Sequence, residues 1–483
     1  MLVEGKVGHS NWSATITNPC VPLPPDTKKL PVCRRRRQCS WLVMTLLFAD
    51  VFLYLRYSFT FYTYLGKMSP MDLFPVTCTA DLLSKPRLVS EQKRTRNVKH
   101  ITCQQILFGS GNETVYQVAR EIMSAHPVTY IDDEQFVKLT SNCFDFRRRR
   151  GYHLSPLDQE EAQFSIAYNI IMHKHIEQVE RLLRAIYRPQ NVYCIHVDLN
   201  SPAEVHAGMA SLARCFPNVF IASKLEYVIY GVFFRLQADI NCMSDHVKQD
   251  DRWRYLINVA GEAFPLRTNA EIVKILKIYN GANDIEGIYG ENILRSRYCC
   301  IMFEMEFKEV HSSNIPTGHK NPRLPHHIDF VRGSAYGIFS RAFVEFLLTD
   351  TKAKDLLQWS RKTYSPDAFY WSTLHHTYRN PHLHTPGAYS GIPDGKPWLA
   401  SYTTWKGHKN KCFGKWVRGV CVFGIGDLPM LIKRKSLFAN KFMLHVQHLA
   451  YECMEAFIEQ RSICPPPFND TYYRNLPFII KQN

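Results

Sequence analysis

Several motifs that define common nucleotide and metal sites are absent from this chain of 483 residues. It contains no GxGxxG and no P-loop sequence, which argues against a classical dinucleotide-binding fold and a P-loop nucleotidase. It contains no DxD triplet, the acidic motif that usually holds a divalent cation beside a nucleotide sugar. Its 15 cysteines include no CxxC pair, so the sequence gives no support to a zinc ribbon.

Acidic residues are fewer than basic ones, and the net charge of +16 calls for an acidic partner. Basic residues concentrate locally at Arg34–Arg37 and Arg147–Arg150. No zinc-finger spacing and no aromatic RNA-binding signature accompanies them, so we expect no nucleic-acid partner. A pocket for a nucleotide diphosphate, or an anionic membrane surface, explains the charge more simply. The apolar fraction of 46% is that of an ordinary globular protein.

One segment near the N-terminus has the composition of a membrane anchor. Residues 39–66 are mostly apolar and aromatic, and they directly follow the arginine run Arg34–Arg37. By the positive-inside rule, this order predicts a signal anchor with a cytosolic tail at 1–38 and the rest of the chain in the lumen. Asp50 and Arg56 interrupt the apolar run, and a buried core helix is the alternative interpretation.

Cysteine usage and glycosylation sequons favour the same topology. Most cysteines lie well separated beyond the anchor, as expected for disulfides in an oxidising lumen. The sequons at Asn112 and Asn469 would be luminal glycosylation sites, whereas Asn11 would be cytosolic and unused. Residues 67–102 are polar with little periodicity, which predicts a stem before a luminal domain at 103–483.

An alternation of apolar strands and amphipathic helices begins at Phe164. The run Phe164–Met172 has strand length, the next segment is apolar at helical spacing from Ile176 to Ile186, and "VYCIHVD" closes on Asp198. Strand, helix and strand within forty residues form a βαβ unit. Since ligands bind beyond the carboxyl ends of such strands, Asp198 is a candidate binding residue.

The alternation continues through a strand "NVFIAS", a helix "RLQADINCMSDHV" and a strand "YLINVAG". The following helix, "TNAEIVKILKIY", starts with a capping box formed by Thr268 and Glu271. Together these segments predict an α/β domain with a mostly parallel sheet.

Six stretches, in this order, carry a resemblance to a known family: "FSIAYNIIMHKHIEQVERLLRAIYRPQNVYCIHVD", "LQADINCM", "YLINVAGEAFPLRTN", "GSAYGIFSR", "YSPDAFYW" and "VRGVCVFGIGDL…LFANKF". Over roughly Cys103 to Cys453 the chain resembles the core-2 type β-1,6-N-acetylglucosaminyltransferases of the Golgi. The resemblance implies a single-pass type II Golgi membrane protein with a GT-A-type fold. Such enzymes transfer GlcNAc from UDP-GlcNAc to the 6-hydroxyl of a branching sugar on an O-glycan acceptor. They invert the anomeric centre without a metal cofactor.

The resemblance also implies the residues of a donor site. The uridine pocket falls on Ile171, His173, Asp198 and Tyr230, although a packed histidine is an equal alternative for His173. Without a metal, cations must neutralise the leaving diphosphate. The resemblance assigns this role to Arg418 and Lys441. It also places Gly333 and Ser334 where the backbone approaches the donor sugar.

Four disulfides are implied by position in the family: Cys103–Cys453, Cys143–Cys215, Cys194–Cys242 and Cys412–Cys421. The last would brace the loop that presents Arg418. Cys299, Cys300 and Cys464 are left without an implied partner.

The acceptor side departs from the family pattern. The family's acceptor contacts correspond to Glu286, Arg297 and Trp405, which are kept. A family lysine corresponds to Leu294, and a family tyrosine corresponds to Gly407.

The catalytic base of the family is a glutamate directly after "SPD", and this chain has Ala368 there. An alanine cannot accept a proton from a sugar hydroxyl. Asp367 is the neighbouring candidate base, and Glu262 in "GEAFP" is a more distant one. The alternative role for Asp367 is to fix the turn, as Asp often does after Pro.

Two functions follow from this pattern. One is an active glycosyltransferase with a relocated base, and the other is a Golgi-resident pseudoenzyme that binds a UDP-sugar or a partner glycosyltransferase.

Overall fold

The computed structural model describes residues 102–109, 113–125, 129–289, 298–302, 316–407 and 410–479. The predicted cytosolic tail, the signal anchor and the stem up to residue 101 lie outside these ranges, and so do Asn112, Leu294 and Arg297. Within the described ranges, no helix combines the length and the apolarity needed to cross a bilayer.

The strands are β1 Ser165–Met172, β2 Val192–Val197, β3 Val219–Ile221, β4 Trp253–Ala260, β5 Ala263–Pro265, β6 Asp284–Ile285, β7 Cys300–Met302, β8 Pro316–Lys320, β9 Gly337–Ser340, β10 Ser401–Tyr402, β11 Lys415–Val417, β12 Val420–Val422 and β13 Phe438–Asn440. The helices are α1 Cys103–Phe108, α2 Glu113–Ala125, α3 Gln135–Leu139, α4 Cys143–Arg150, α5 Gln159–Ala162, α6 Ile176–Ile186, α7 Ala203–Ala213, α8 Phe234–Gln249, α9 Asn269–Tyr279, α10 Arg341–Thr349, α11 Thr351–Ser360, α12 Tyr370–His375, α13 Leu428–Leu431, α14 His448–Ile463 and α15 Thr471–Arg474. Short 3₁₀ turns lie at Pro325–His327, Pro366–Ala368, Pro381–Leu383, Pro393–Gly395 and Ile425–Asp427.

The largest sheet has six strands in the order β3-β2-β1-β4-β9-β6. Strands β1 to β4 pair in parallel, whereas β9 pairs antiparallel with both β4 and β6. This is the mixed α/β fold with a mostly parallel sheet that the sequence predicts. The strand predicted over "NVFIAS" is shorter in the structure, where β3 covers Val219–Ile221.

Helices cover both faces of this sheet. Successive residues of a strand point to opposite faces, so neighbouring residues of one strand pack against different helices. In β4, Ile257 packs into an apolar cluster with α6, α7 and α9, whereas Leu256 packs into another with α8, α10 and α12. The predicted apolar face of α6 is buried. The predicted capping box of α9 is confirmed: the Glu271 N–H donates to Thr268 Oγ1 at 3.2 Å, and the Thr268 N–H donates to the Glu271 carboxylate at 3.0 Å.

A smaller sheet begins where the central strand β4 ends. Its order is β10-β13-β5, and β11 and β12 form a separate hairpin. A further apolar cluster, which includes Phe264, Phe423 and Phe442, packs this sheet against α1, α13 and α14. Because only two residues separate β4 from β5, the smaller sheet brings its own segments to the carboxyl edge of the central sheet.

Candidate active site

The carboxyl ends of β1, β2 and β4 meet at one edge of the central sheet. Met172, the last residue of β1, pairs with Val197, the last residue of β2, and β4 lies on the other side of β1. His173 and Asp198 therefore follow the two strands at the same level, and Glu262 follows β4 by two residues. This is the edge at which open α/β sheets bind ligands.

The predicted uridine pocket is organised around Asp198. Its Oδ1 accepts hydrogen bonds from the N–H of Asn200 at 3.0 Å and from the N–H of Val228 at 3.2 Å. These bonds fix the loop that carries Tyr230, whose side chain is 64% exposed. The Tyr230 ring stands edge-on to the ring of Tyr364, with centroids 6.4 Å apart. An exposed aromatic ring can stack on a nucleotide base, and an anchored carboxylate can accept a hydrogen bond from that base.

Ile171 and His173 lie at the end of β1 but in different environments. Ile171 is buried, and its carbonyl accepts a hydrogen bond from the N–H of Gly261 at 2.9 Å. His173 is at the exposed edge. Loss of hydration lowers the pKa of His173, and Glu262 partly opposes this shift. Arg418 also acts on this imidazole, so the hairpin residue lies near the donor edge.

Lys441 reaches the same edge from the smaller sheet. The antiparallel register of β13 and β5 pairs Asn440 with Ala263. Lys441, which follows Asn440, therefore lies beside Glu262, which precedes Ala263. Lys441 is 9% exposed, and its Nζ lies 3.3 Å from Oε2 of Glu262. A nearly buried ammonium group at this position is a suitable partner for a phosphate.

Arg418 is presented by a tight hairpin turn. It lies between β11 and β12 with φ of 52°, and Gly419 follows with φ of 77°. Two successive left-handed residues match the right-handed twist of a two-residue hairpin. The Cys412–Cys421 disulfide closes the hairpin, as the resemblance implies. The guanidinium is exposed and available to a ligand.

The "SPDA" turn begins with a left-handed residue, Ser365, whose φ is 52°. The Ser365 hydroxyl donates to Oδ1 of Asp367 at 3.0 Å. The carbonyl of Ala368 accepts a hydrogen bond from the N–H of Gly333 at 2.7 Å. The turn is thus held beside Gly333, and it carries the methyl group of Ala368 where the resemblance implies a glutamate base.

The side chain of Asp367 lies inside the protein, where it is 8% exposed. Burial raises the pKa of Asp367, and the charge of Arg235 opposes this shift. Its other electrostatic neighbour is the buried Asp239. This geometry favours the turn-fixing role for Asp367, and its role as the base stays a prediction.

A network of buried polar side chains lies next to Asp367 of the "SPDA" turn. Arg235 and Asp239 form an ion pair along α8. The Asp239 carboxylate accepts from the side-chain amides of Asn169 in β1 and Asn258 in β4, each at 3.1 Å. Asn258 Oδ1 in turn accepts the N–H of Gly337 at 2.8 Å. The network therefore joins two central strands to the segment after Ser334.

This network was not identified from the sequence as a functional element. Its signal was Arg235 and Asp239 four residues apart in the predicted helix "RLQADINCMSDHV", which lets them pair on one face. Ser334 contributes only locally, since its Oγ accepts the N–H of Tyr336 at 3.1 Å.

Gly333 is required by packing against the acceptor side. A Cβ at this position would lie 2.1 Å from Ser372 Oγ and 2.2 Å from the carbonyl oxygen of Glu286. The Ser372 hydroxyl also donates to that carbonyl at 2.8 Å. Burial raises the pKa of Glu286, and Arg332 opposes this shift. Close backbone packing thus explains the glycine, whether or not a donor sugar also approaches it.

Trp405 is the second acceptor candidate that the structure describes. Its side chain is 46% exposed, and its backbone bridges to Val420 in the Arg418 hairpin. Gly407, where the family has a tyrosine, adopts φ of 93° in the turn that follows. The third candidate, Arg297, lies outside the described residues.

The four disulfides that the resemblance implies are all present, at Cys103–Cys453, Cys143–Cys215, Cys194–Cys242 and Cys412–Cys421. Cys464 is disulfide-bonded as well. The sulfur atoms of Cys299 and Cys300 lie 3.0 Å apart. Asn469 is exposed, as its predicted glycosylation requires.

Among the described residues, Cys412, Cys421 and Asp427 are close enough together to be considered as metal ligands. The two sulfurs are bonded to each other and are not thiolates, so this group does not form a metal site. Metal-independent transfer stays a prediction.

Known proteins are similar in sequence to most of this chain. The family model for the Core-2/I-branching enzymes matches residues 166–432. The β-1,3-galactosyl-O-glycosyl-glycoprotein β-1,6-N-acetylglucosaminyltransferase of Homo sapiens is 36% identical over 376 residues, which cover 75% of this chain and 86% of that protein. The N-acetyllactosaminide β-1,6-N-acetylglucosaminyl-transferase of Mus musculus is 40% identical over 329 residues, which cover 67% of this chain and 79% of that protein.

Proposed function

The chain belongs to the Core-2/I-branching enzyme family, and we propose that it binds UDP-GlcNAc in a GT-A-type domain as a β-1,6-N-acetylglucosaminyltransferase. Its acceptor is the 6-hydroxyl of a branch-point sugar on an O-glycan. The observation that carries this proposal is the convergence of Asp198, Arg418 and Lys441 on one edge of the sheet. An anchored carboxylate and two cations from separate elements fit a nucleotide diphosphate.

In this proposal, each residue has a defined task in donor binding. Asp198 accepts a hydrogen bond from the uridine, and Tyr230 stacks on the base. Ile171 and His173 line the pocket beside them. Arg418 and Lys441 neutralise the charge that develops on the diphosphate as the bond to the sugar breaks. Fixed cations in a partly dry cleft can do this without a metal, so we expect transfer to proceed in the presence of EDTA.

Inverting chemistry requires a base on the face of the sugar opposite the leaving diphosphate. Ala368 occupies the family's position for this base. Asp367 is turned into the buried network, and Glu262 contacts Lys441 on the leaving-group side. Loss of a general base typically slows a reaction by about 10²–10⁴-fold. We therefore expect slow transfer, carried by water or another group.

The second candidate function is a pseudoenzyme that binds a UDP-sugar or a partner glycosyltransferase and transfers nothing. Ala368 favours this function, because the donor site is complete while the base is missing. Both functions place the domain in the Golgi lumen behind a signal anchor at residues 39–66.

The two functions are separated by GlcNAc transfer from UDP-GlcNAc to a core-1 disaccharide, measured with the full-length protein and with Ala368→Glu. A glutamate at 368 restores a carboxylate at the family position, so we expect the variant to be about 10²-fold faster or more. Asp367→Asn is the companion variant.

If the wild-type protein transfers GlcNAc and Asp367→Asn abolishes transfer, the base has moved by one residue and the enzyme is active. A silent wild type with an active Ala368→Glu identifies a pseudoenzyme. UDP binding without transfer by either protein contradicts the proposed acceptor.

A further inference from the structure

The diphosphate cation Lys441 already has an anionic partner in the protein. Its Nζ lies 3.3 Å from Oε2 of Glu262, and the two side chains are 11% and 27% exposed. This pair differs from surface ion pairs, which solvent screens and which contribute little. An inference about it rests on the proposed function, because Lys441 has its role through that proposal.

The backbone holds the two residues side by side. Glu262 precedes β5 and Lys441 follows β13, and these strands are paired. The carbonyl of Glu262 accepts the N–H of Phe442 at 2.7 Å. The side-chain amide of Gln178 donates to the carbonyls of Gly261 at 3.2 Å and Phe442 at 2.9 Å. The ion pair is therefore a consequence of the sheet and not of two flexible surface chains.

The Glu262 carboxylate also faces the rest of the donor edge. It acts electrostatically on His173, on His445 and on the buried hydroxyl of Tyr336. The same two histidines are under the influence of Lys174. Glu262 thus places a negative charge near the cation Lys441 and the two histidines, where a diphosphate would place its own.

We propose that Glu262 sets the affinity for the donor diphosphate by competing with it for Lys441. In the unliganded protein the Glu262 carboxylate pairs with the Lys441 ammonium group. A bound diphosphate has to share that cation with the negative charge of Glu262. Like charges a few ångströms apart in a partly buried site repel strongly. This competition predicts that a nucleoside diphosphate binds weakly. Binding of the nucleoside alone, which has no phosphate, should not depend on the charge of Glu262.

The contact with Lys441 also argues against Glu262 as the catalytic base. A group that touches the cation of the leaving diphosphate lies on the leaving-group side of the sugar. The acceptor hydroxyl approaches from the opposite side, so Glu262 acts as an affinity-determining residue.

The test is calorimetric binding of UDP and of uridine to the full-length protein and to Glu262→Gln. Glutamine keeps the shape of the side chain and removes its charge. We expect UDP to bind about tenfold more tightly or better, and uridine to bind equally well within about twofold. In a Lys441→Gln background, the gain from Glu262→Gln should be much smaller, because the carboxylate no longer competes for an ammonium group and only its direct repulsion of the diphosphate remains.

Glu160→Gln is the matched control. Glu160 pairs with Lys277 at 2.7 Å, and it lies in α5 before the amino end of β1, away from the donor edge. We expect no change in either affinity. Unchanged or weaker UDP binding by Glu262→Gln, with uridine binding intact, overturns the competition while the proposed donor site stands. A gain of the same size in the Lys441→Gln background also overturns it. If the wild-type protein binds neither UDP nor uridine, the proposed function fails and the competition fails with it.

Discussion

At the scale of single residues, the proposed function separates donor binding from catalysis. Asp198, Arg418 and Lys441 have the side-chain chemistry that a nucleotide diphosphate needs. Ala368 stands where the resemblance to the family implies a glutamate base. The adjacent Asp367 does not simply replace it, because its side chain is buried beside Arg235 and bonded to Ser365. In the proposed function, residue 368 on this turn decides between transfer and binding alone.

A second residue couples the donor pocket to pH. His196 in β2 is buried, and its Nε2 accepts the N–H of Glu226 at 2.9 Å. Burial lowers the pKa of His196 to about 4. The Glu226 carbonyl in turn accepts the N–H of Leu199, next to Asp198. Protonation of Nε2 would remove the acceptor that holds this loop.

We predict that His196 makes the protein less stable in mild acid. The folded-state pKa lies below the unfolded value near 6.5, so the unfolded chain binds more protons between the two values. Stability is therefore complete above about pH 6.5 and is lost as the pH falls toward 4, by about 2 kcal/mol at pH 5.

Chemical unfolding of the wild type and of His196→Gln at pH 7.5 and pH 5 checks this expectation. The amide oxygen of glutamine can accept the Glu226 N–H but does not titrate. The variant should lose about 2 kcal/mol less than the wild type between these pH values. Equal losses would contradict the role of His196, and the comparison at pH 7.5 controls for packing.

At the scale of elements, the proposed donor site depends on a hairpin from outside the central sheet. β11 and β12 present Arg418 at their turn, and the Cys412–Cys421 disulfide closes them. The hairpin is short, and a disulfide across nine residues mainly restricts local freedom. Arg418 is therefore held in place by a covalent bond and not by burial.

We predict that the double variant Cys412→Ala/Cys421→Ala weakens UDP binding while uridine binding stays the same. Without the disulfide the turn can adopt more conformations. Binding of the diphosphate then has to order Arg418, which costs binding free energy. Titration with the two ligands measures both effects. Cys143→Ala/Cys215→Ala is the control, since it removes a disulfide that joins α4 to the segment after α7. The control should lower thermal stability without changing the ratio of the two affinities, and an equal change of this ratio in both variants would refute the local role.

The elements could be predicted where their determinants are local. The apolar spacing of α6 and the capping box of α9 each lie within a few residues, and both predictions are confirmed. The pairing of Glu262 with Lys441 could not be predicted, because it depends on how β5 meets β13 far along the chain. The inward direction of Asp367 likewise depends on Arg235, which belongs to another element. The resemblance therefore supplied candidate donor residues, and the fold revealed which charges lie beside them.

At the scale of the whole molecule, the similarity to the Core-2/I-branching enzymes and the four disulfides belong to the same part of the chain. The sequence similarity extends over 75% of this chain for the human relative. The central proposal is that Arg418 and Lys441 bind a nucleotide diphosphate without a metal. Activity assays depend on the acceptor, whereas donor binding does not.

The most direct measurement is therefore calorimetric titration of UDP into the full-length protein in the presence of EDTA, compared with Arg418→Ala/Lys441→Ala. We predict saturable binding by the wild type that added Mg²⁺ or Mn²⁺ does not strengthen, and loss of binding by the double variant. Uridine should bind both proteins alike, which shows that the variant is folded. UDP binding that requires a divalent cation, or that survives loss of both side chains, would contradict the account.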